Sequence, residues 1–102
     1  MASYEGARTI DGVQVLADGE PLDPRTDLKR FTDRGYEWTY EGVEPAQLAL
    51  ALLAHHLGDD AKAINLCDAF MRRIIANLDN DWELTAADID KALAEIDGGS
   101  KP

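Results

Sequence analysis

The 102-residue chain is predicted to form an α+β fold, in which a small antiparallel β-hairpin or three-stranded sheet packs on a helical hairpin and a C-terminal helix. Two observations predict this class. Turn signals separate short apolar runs within residues 4–41, whereas residues 45–78 and 85–96 carry apolar residues at helical spacing. We therefore expect a single compact domain over residues 1–97 and a flexible tail at residues 98–102.

The first predicted element is a β-hairpin near the N-terminus. An Asp-Gly pair at residues 11–12 separates residues 9–10 from the apolar run at residues 13–16. Asp-Gly between apolar runs is a strong hairpin signal, because both residues tolerate the positive φ of a tight turn. A second Asp-Gly pair at residues 18–19 predicts another turn. Pro21 follows it, and because proline lacks a backbone N–H, this stretch is expected to be an edge strand at most.

Residues 36–41 show the clearest strand pattern in the chain. Tyr36, Trp38 and Tyr40 alternate with polar residues between two glycines, which places the three aromatic side chains on one face. We expect a strand here. Residues 23–35, which begin with Asp-Pro and end with a glycine, are predicted to form a loop.

The helix predicted over residues 45–57 is the most apolar segment. Pro45 suits the first helical turn because its missing N–H costs nothing there, and Gly58 is a typical left-handed stop. Nine of the twelve residues 46–57 are apolar, so we expect the helix to be buried on most sides. The remaining stripe, which we call the small-residue stripe, consists of Gln47, Ala51, Ala54 and His55. It would let another element approach closely.

Two further helices are predicted. The first spans residues 60–78, is capped by Asp59 or Asp60, and runs antiparallel to its predecessor because the connection is short. The second spans residues 85–96, with Thr85 and Asp88 spaced as a variant capping box. Cys67, the single cysteine, lies on the apolar face of the 60–78 helix, and we interpret it as a small buried hydrophobe.

The chain is strongly acidic. Twenty acidic residues face ten basic ones, for a formal charge of -10, and thirteen of the acids are Asp while only four residues are Lys. Self-repulsion of this kind destabilises a compact state, and molar salt screens it because the Debye length falls to about 3 Å. We hypothesise a salt-adapted, halophilic source. The alternative is an acidic surface that imitates nucleic acid in order to capture a basic partner.

The same charge disfavours DNA, RNA and anionic lipid as partners. No apolar run reaches the roughly 18 residues that span a bilayer, and the N-terminus shows no secretory pattern. We therefore expect no membrane partner and a cytoplasmic location.

Motifs that carry chemistry are missing from the sequence. It contains no P-loop, GxGxxG, HExxH or CxxC pattern, and both serines lie near the termini. His55 with Asp59, or His56 with Asp60, has the i, i+4 spacing of two ligands on a helix. Adjacent histidines point about 100° apart, however, so the four side chains do not converge on one ion. We expect no catalytic residues, no metal and no cofactor, and enzymatic activity is left open as the less favoured alternative.

Two functions remain open, and the first is a small non-catalytic protein-interaction module. The segment 25–40 combines Arg25, Lys29 and Arg30 with aromatic residues that include Trp38, and these residue types are enriched at protein interfaces. Self-association through an exposed strand edge is a variant of this hypothesis. The competing interpretation places the aromatic side chains in the core, against the helix at residues 45–57.

The alternative function is a small-molecule binder or minor enzyme. Its pocket would lie between the sheet and the helix at residues 45–57, and would involve Trp38, Gln47 and either His55 or His56.

The stretch from residue 36 to 53, YEWTYEGVEPAQLALALL, together with Trp82-x-Leu84-Thr85 and Ile89, resembles a family of small uncharacterised prokaryotic proteins known only as a domain of unknown function. The resemblance covers about residues 8–96. Its most specific part is the helix start PAQLALALL after a segment that contains tryptophan. It implies one compact domain and implies no activity.

Overall fold

The computed structural model describes the backbone of residues 3–99 and the side chains of residues 3–96. Its elements are β1 (Ser3–Thr9), β2 (Gly12–Ala17), β3 (Glu20–Pro21), α1 (Val43–Leu57), α2 (Asp60–Arg73), β4 (Trp82–Thr85) and α3 (Ala86–Gly99), with one 3-10 turn at Ile75–Asn77. The predicted α+β class is confirmed.

The sheet has four strands in the order β3-β2-β1-β4, and each neighbouring pair is antiparallel. The predicted N-terminal hairpin forms its centre, with Tyr4 paired to Ala17 on β2 and to Leu84 on β4. The predicted number of two or three strands was therefore too small. The missing strand is β4, because the short extended piece at residues 82–85 returns from the helices to pair with β1.

The strand predicted at residues 36–41 is wrong. This segment has no ladder partner in the structure, and Thr39 has a φ of 80°, which breaks an extended run. Trp38 is nonetheless fully buried and Tyr36 partly so, whereas Tyr40 is exposed. The alternation correctly placed Tyr36 and Trp38 toward the core but not Tyr40. Burial of alternate side chains does not require a hydrogen-bonded neighbouring strand.

Both predicted turns exist, and the first is displaced by one residue. Thr9 pairs with Gly12, so Ile10 and Asp11 occupy the turn and Ile10 is fully exposed. At the second turn Asp18 and Gly19 have φ values of 52° and 83°, the two positive angles that a tight hairpin requires.

Helix α1 is the centre of the molecule. Every residue from Pro45 to Ala54 is buried, with α2 packed against the helix and with Tyr4 and Val15 of the sheet in the same hydrophobic cluster. The helix begins two residues earlier than predicted, at Val43, and it ends as predicted. Gly58 adopts the left-handed conformation (φ 64°), and its N–H donates to the Ala54 carbonyl at 3.1 Å.

Helix α2 starts where predicted but is shorter. Asp59 is its N-cap, accepting from the Lys62 backbone N–H at 3.1 Å. The helix ends at Arg73 rather than residue 78, and the chain tightens into the 3-10 turn. The Asn77 side chain donates to the Arg73 carbonyl at 3.0 Å and so satisfies one of the carbonyls freed at the end of the helix.

The N-terminus of helix α3 is stabilised by the predicted capping box. The Thr85 backbone N–H donates to Asp88 Oδ2 at 2.9 Å, and the Asp88 N–H donates to Thr85 Oγ1 at 3.1 Å. The helix continues to Gly99, three residues beyond the predicted end. Residues 100–102 of the predicted tail lie outside the described residues.

One core joins the sheet to the helices. Its largest fully buried side chains are Trp38, Tyr4, Phe70, Leu48, Leu50, Leu52, Leu53, Ile75 and Ile89. Cys67 is buried within it, as predicted, and burial raises the pKa of its thiol. Over residues 3–99, no helix has the length and apolar character needed to cross a bilayer.

The close contact of β1 with β4 gives a first prediction. A Cβ at Gly6 would overlap the indole of Trp82, which packs edge-on against Trp38 with ring centroids 5.7 Å apart. We expect Gly6→Ala to lower the free energy of unfolding by about 1–3 kcal/mol, because the indole must move within a packed core. Urea denaturation would measure this. Ala7→Ser, on the opposite face of the same strand, should change it by less than about 0.5 kcal/mol. Equal effects would contradict the prediction.

Candidate ligand-binding pocket

A pocket of about 320 Å³ lies beside the predicted small-residue stripe of α1. It is lined by Leu22, Asp23, Arg25, Ala51 and His55, and we call it the His55 pocket. One wall is α1, and the other is the chain as it leaves β3. Its volume is at the small end of the roughly 300–1,000 Å³ typical of ligand sites.

His55 lies in the last turn of α1. Its side chain is exposed, and its ring contacts Tyr4 of β1. The Tyr4 hydroxyl is 2.8 Å from His55 Nδ1, and the two rings meet edge to face with centroids 5.4 Å apart. Tyr4 itself is only 1% exposed. Its burial, reinforced by the nearby Asp18 carboxylate, raises the pKa of Tyr4 to about 12. The hydroxyl therefore keeps its proton at neutral pH and acts as a fixed support for the imidazole.

Arg25 faces His55 from an unusual backbone position. Its φ is 54°, a left-handed value that costs a non-glycine residue about 1 kcal/mol or more, and the Asp23 side chain stabilises it by accepting from the Arg25 N–H at 2.9 Å. The guanidinium pairs with Asp27 at 3.1 Å and Asp60 at 3.5 Å. The hydrogen bond with Asp27 is the main reason that the pKa of Arg25 is raised. These contacts fix the cation at the rim of the pocket.

Gln47 holds the loop that carries Arg25 against α1. Its side chain is fully buried, accepts from the Phe31 N–H at 2.8 Å, and donates to the carbonyls of Pro24 at 2.6 Å and Lys29 at 3.1 Å. Both amide hydrogens are thus used within the protein. Gln47 does not line the pocket. It was predicted as a binding residue, and the structure shows it as the support of the loop.

Two other predicted pocket residues also lie elsewhere. His56 Nε2 is 2.6 Å from Asp90 Oδ1 and joins α1 to α3. Trp38 is fully buried, donates from Nε1 to the Asn80 carbonyl at 3.1 Å, and carries the Arg8 guanidinium 4.9 Å from its ring centroid. Its position in the core agrees with the competing interpretation for Trp38, whereas Tyr40 is exposed, and it leaves no surface of Trp38 for a ligand.

The remaining predicted binding residues are outside the pocket. Lys29 and Arg30 are exposed on the loop, and the Lys29 ammonium lies 5.0 Å from the Phe31 ring centroid. Of the seven predicted residues, therefore, the structure brings Arg25 and His55 together. The contributions of Tyr4, Leu22 and Asp23 were missed. Ala51 was recognised only as part of the small-residue stripe, and no local pattern marks residues 22–23 as a pocket wall.

Two shallower hollows occur elsewhere. A groove of about 580 Å³ crosses the outer face of the sheet, and another of about 440 Å³ separates α2 from α3 near Leu66 and Leu93. Neither contains a residue predicted to bind. Over residues 3–96, no group of three or more His, Cys, Asp or Glu side chains is arranged to hold a metal ion.

The role of Gln47 gives a second prediction. Gln47→Met keeps the size of the side chain but leaves the Phe31 N–H and two loop carbonyls without their partner. We expect a loss of about 2–4 kcal/mol in the free energy of unfolding, since an unpaired buried polar group costs about 1–3 kcal/mol. The same substitution at exposed Gln14 is the control, with an expected change below about 0.5 kcal/mol. Chemical denaturation measures both, and a Gln47 effect no larger than that of Gln14 would refute the supporting role.

No curated protein and no solved structure matches this chain. A family of unknown function, DUF6166, matches it over residues 4–95, a range that includes the sheet except for Ser3, the first two helices and the whole His55 pocket. The chain therefore belongs to the DUF6166 family of unknown function.

Proposed function

We propose that this protein is a non-catalytic binder of a small molecule and that the His55 pocket is its site. The observation that carries the proposal is the meeting of Arg25 and His55, 30 residues apart in the sequence, on opposite sides of one pocket. Apolar walls with a few convergent polar groups are the usual composition of a ligand site. Leu22 and Ala51 are the buried apolar part of this lining.

Binding without catalysis suits the lining residues. None of the five is a serine, threonine or cysteine, so the pocket contains no hydroxyl or thiol nucleophile. Its three polar side chains all have partners inside the protein: carboxylates pair with Arg25, Tyr4 contacts His55, and Asp23 accepts from the Arg25 backbone N–H. Pre-oriented groups of this kind favour affinity, because little side-chain entropy is lost on binding.

The protein-interaction hypothesis has less support. Its basis was the cluster of basic and aromatic residues in the segment 25–40, but Trp38 is in the core and Arg25 is paired with two carboxylates. Lys29, Arg30 and Tyr40 remain exposed. Hot spots at interfaces are usually large side chains clustered at the centre of the interface. Trp38 is buried in the core and therefore does not supply such a side chain beside these three residues.

We propose in addition that the protein is adapted to high salt. None of the nineteen acidic side chains in residues 3–96 is buried. Those side chains form five ion pairs with arginine in that part of the chain, of which two involve Arg72 and two Arg25, and Asp90 contacts His56. Most of the acidic surface is therefore left to repel itself, and dissolved cations are the available source of screening.

Salt adaptation leads to a third prediction. We expect the Tm to rise between 0.1 M and 2 M KCl by about 4–8 °C for each 1 kcal/mol of repulsion that is screened. Differential scanning calorimetry measures the change. A variant with Asp11, Asp79 and Asp81 changed to Asn, all of them exposed, should show a smaller rise. A Tm that is flat or falling in salt would remove the basis for a halophilic source.

Ligand binding leads to a fourth prediction. In a fragment screen of the ¹⁵N-labelled protein by NMR in 2 M KCl, we expect hits to move the amide signals of residues 22–25 and 51–55 together. His55→Ala should weaken those hits about tenfold, since removing a hydrogen bond to a ligand costs about 1.4 kcal/mol or more.

Asn65→Ala is the matched control, because Asn65 is exposed and lines the groove between α2 and α3. It should leave the affinities unchanged. Hits that depend on Asn65 and not on His55, or a screen without hits at the His55 pocket, would count against this site.

A further inference from the structure

The Tyr4 hydrogen bond determines what His55 offers to a ligand. Tyr4 keeps its hydroxyl proton, and within residues 3–96 the only hydrogen-bond partner of that hydroxyl is His55 Nδ1, at 2.8 Å. If Nδ1 carried the proton of a neutral imidazole, the buried hydroxyl would have no acceptor, which costs about 1–3 kcal/mol. Nδ1 is therefore the acceptor, and the hydrogen of the neutral ring is on Nε2.

The protonated ring leads to the same result at Nε2. An imidazolium carries a hydrogen on both nitrogens, so Nε2 remains a donor while the hydroxyl of Tyr4 accepts from Nδ1. In both charge states His55 presents an N–H at Nε2, the nitrogen that Tyr4 does not contact. A group that binds this position must therefore be a hydrogen-bond acceptor.

Arg25 supplies more donors on the facing wall. A guanidinium has five N–H groups in a planar fork. The contacts of Arg25 with Asp27 and Asp60 use Nε and one terminal nitrogen, at 3.1 Å to 3.5 Å. The other terminal nitrogen has no partner within residues 3–96, and the side chain is 28% exposed. The two nitrogen-bearing side chains of the lining, Arg25 and His55, thus present donors, whereas Asp23 presents acceptors only.

The carboxylates around the pocket restrict the charge of the ligand. Asp23 lines it, and Asp27 and Asp60 lie against Arg25. Three nearby negative charges repel a dianion such as phosphate about twice as strongly as a monoanion. Leu22 and Ala51 form the apolar base of the pocket, and Leu22, which keeps a small exposed fraction, favours an apolar body for the rest of the ligand.

Building on the proposed function, we propose that the His55 pocket binds a small monocarboxylic acid, with its carboxylate between His55 Nε2 and the Arg25 guanidinium and its apolar part against Leu22 and Ala51. The net charge of -10 opposes the approach of any anion. High salt shortens the range of that repulsion to a few ångströms and leaves the contacts inside the pocket largely intact. The site is thus suited to saline conditions.

The test uses matched acids and amides that differ only in the charged group. We would titrate the ¹⁵N-labelled chain in 2 M KCl with 3-phenylpropionate and 3-phenylpropionamide, and with hexanoate and hexanamide, following the amide signals of residues 22–25 and 51–55. We expect each acid to bind at least tenfold more tightly than its amide. Arg25→Gln should remove most of that preference, whereas Arg30→Gln, the same charge change at an exposed residue of the same loop, should retain it.

A second measurement does not depend on any variant folding correctly. The long-range ¹H–¹⁵N spectrum of the imidazole groups should show His55 with a bare Nδ1 and a hydrogen on Nε2 at high pH. The opposite tautomer would overturn the proposal, as would amides that bind as well as acids. If acids and amides bind at the pocket equally well, the preference for a carboxylate is contradicted but the proposed function is not. If neither class perturbs the pocket, the proposed function is contradicted as well.

Discussion

The burial of α1 on nearly all sides is the constraint on which the rest of the structure depends. Ten consecutive residues, from Pro45 to Ala54, are out of solvent, and a single helix of this kind is stable only when other elements surround it. The sheet covers one side, α2 another, and the loop before α1 a third. The four-stranded sheet follows from the same requirement, because β4 contributes Trp82 to the apolar face of the sheet.

One polar residue within this apolar helix determines where the pocket forms. Gln47 is the single buried polar side chain in the described part of the chain, and its hydrogen bonds to the loop satisfy all the groups that its burial removes from water. The loop is consequently held close at Gln47, and two helical turns later His55 is left exposed beside the buried Ala51. The pocket is the space between the anchored loop and the next turns of α1.

The acidic surface and the candidate site are connected by electrostatics. The pocket displays the donors of Arg25 and His55 on a protein with twice as many acidic as basic residues. In dilute buffer the surrounding charge works against an anionic ligand at long range, and in concentrated salt only the contacts within a few ångströms remain effective. Under the proposed salt adaptation, the same ionic conditions would serve both the fold and the proposed ligand.

Features that depend on residues close together in the sequence were determined by the sequence alone. The three helices, the left-handed stop at Gly58 and the Thr85–Asp88 capping box depend on neighbours within a few positions, and the burial of Cys67 follows from helical periodicity. Strand pairing was decided by the tertiary structure, because an extended segment needs a partner: residues 36–41 found none, and residues 82–85 paired with β1. The site was likewise decided by folding. Arg25 and His55 were recognised separately, but the support of Tyr4 and the role of Gln47 arise from contacts between residues 16 to 51 positions apart, which no local pattern contains.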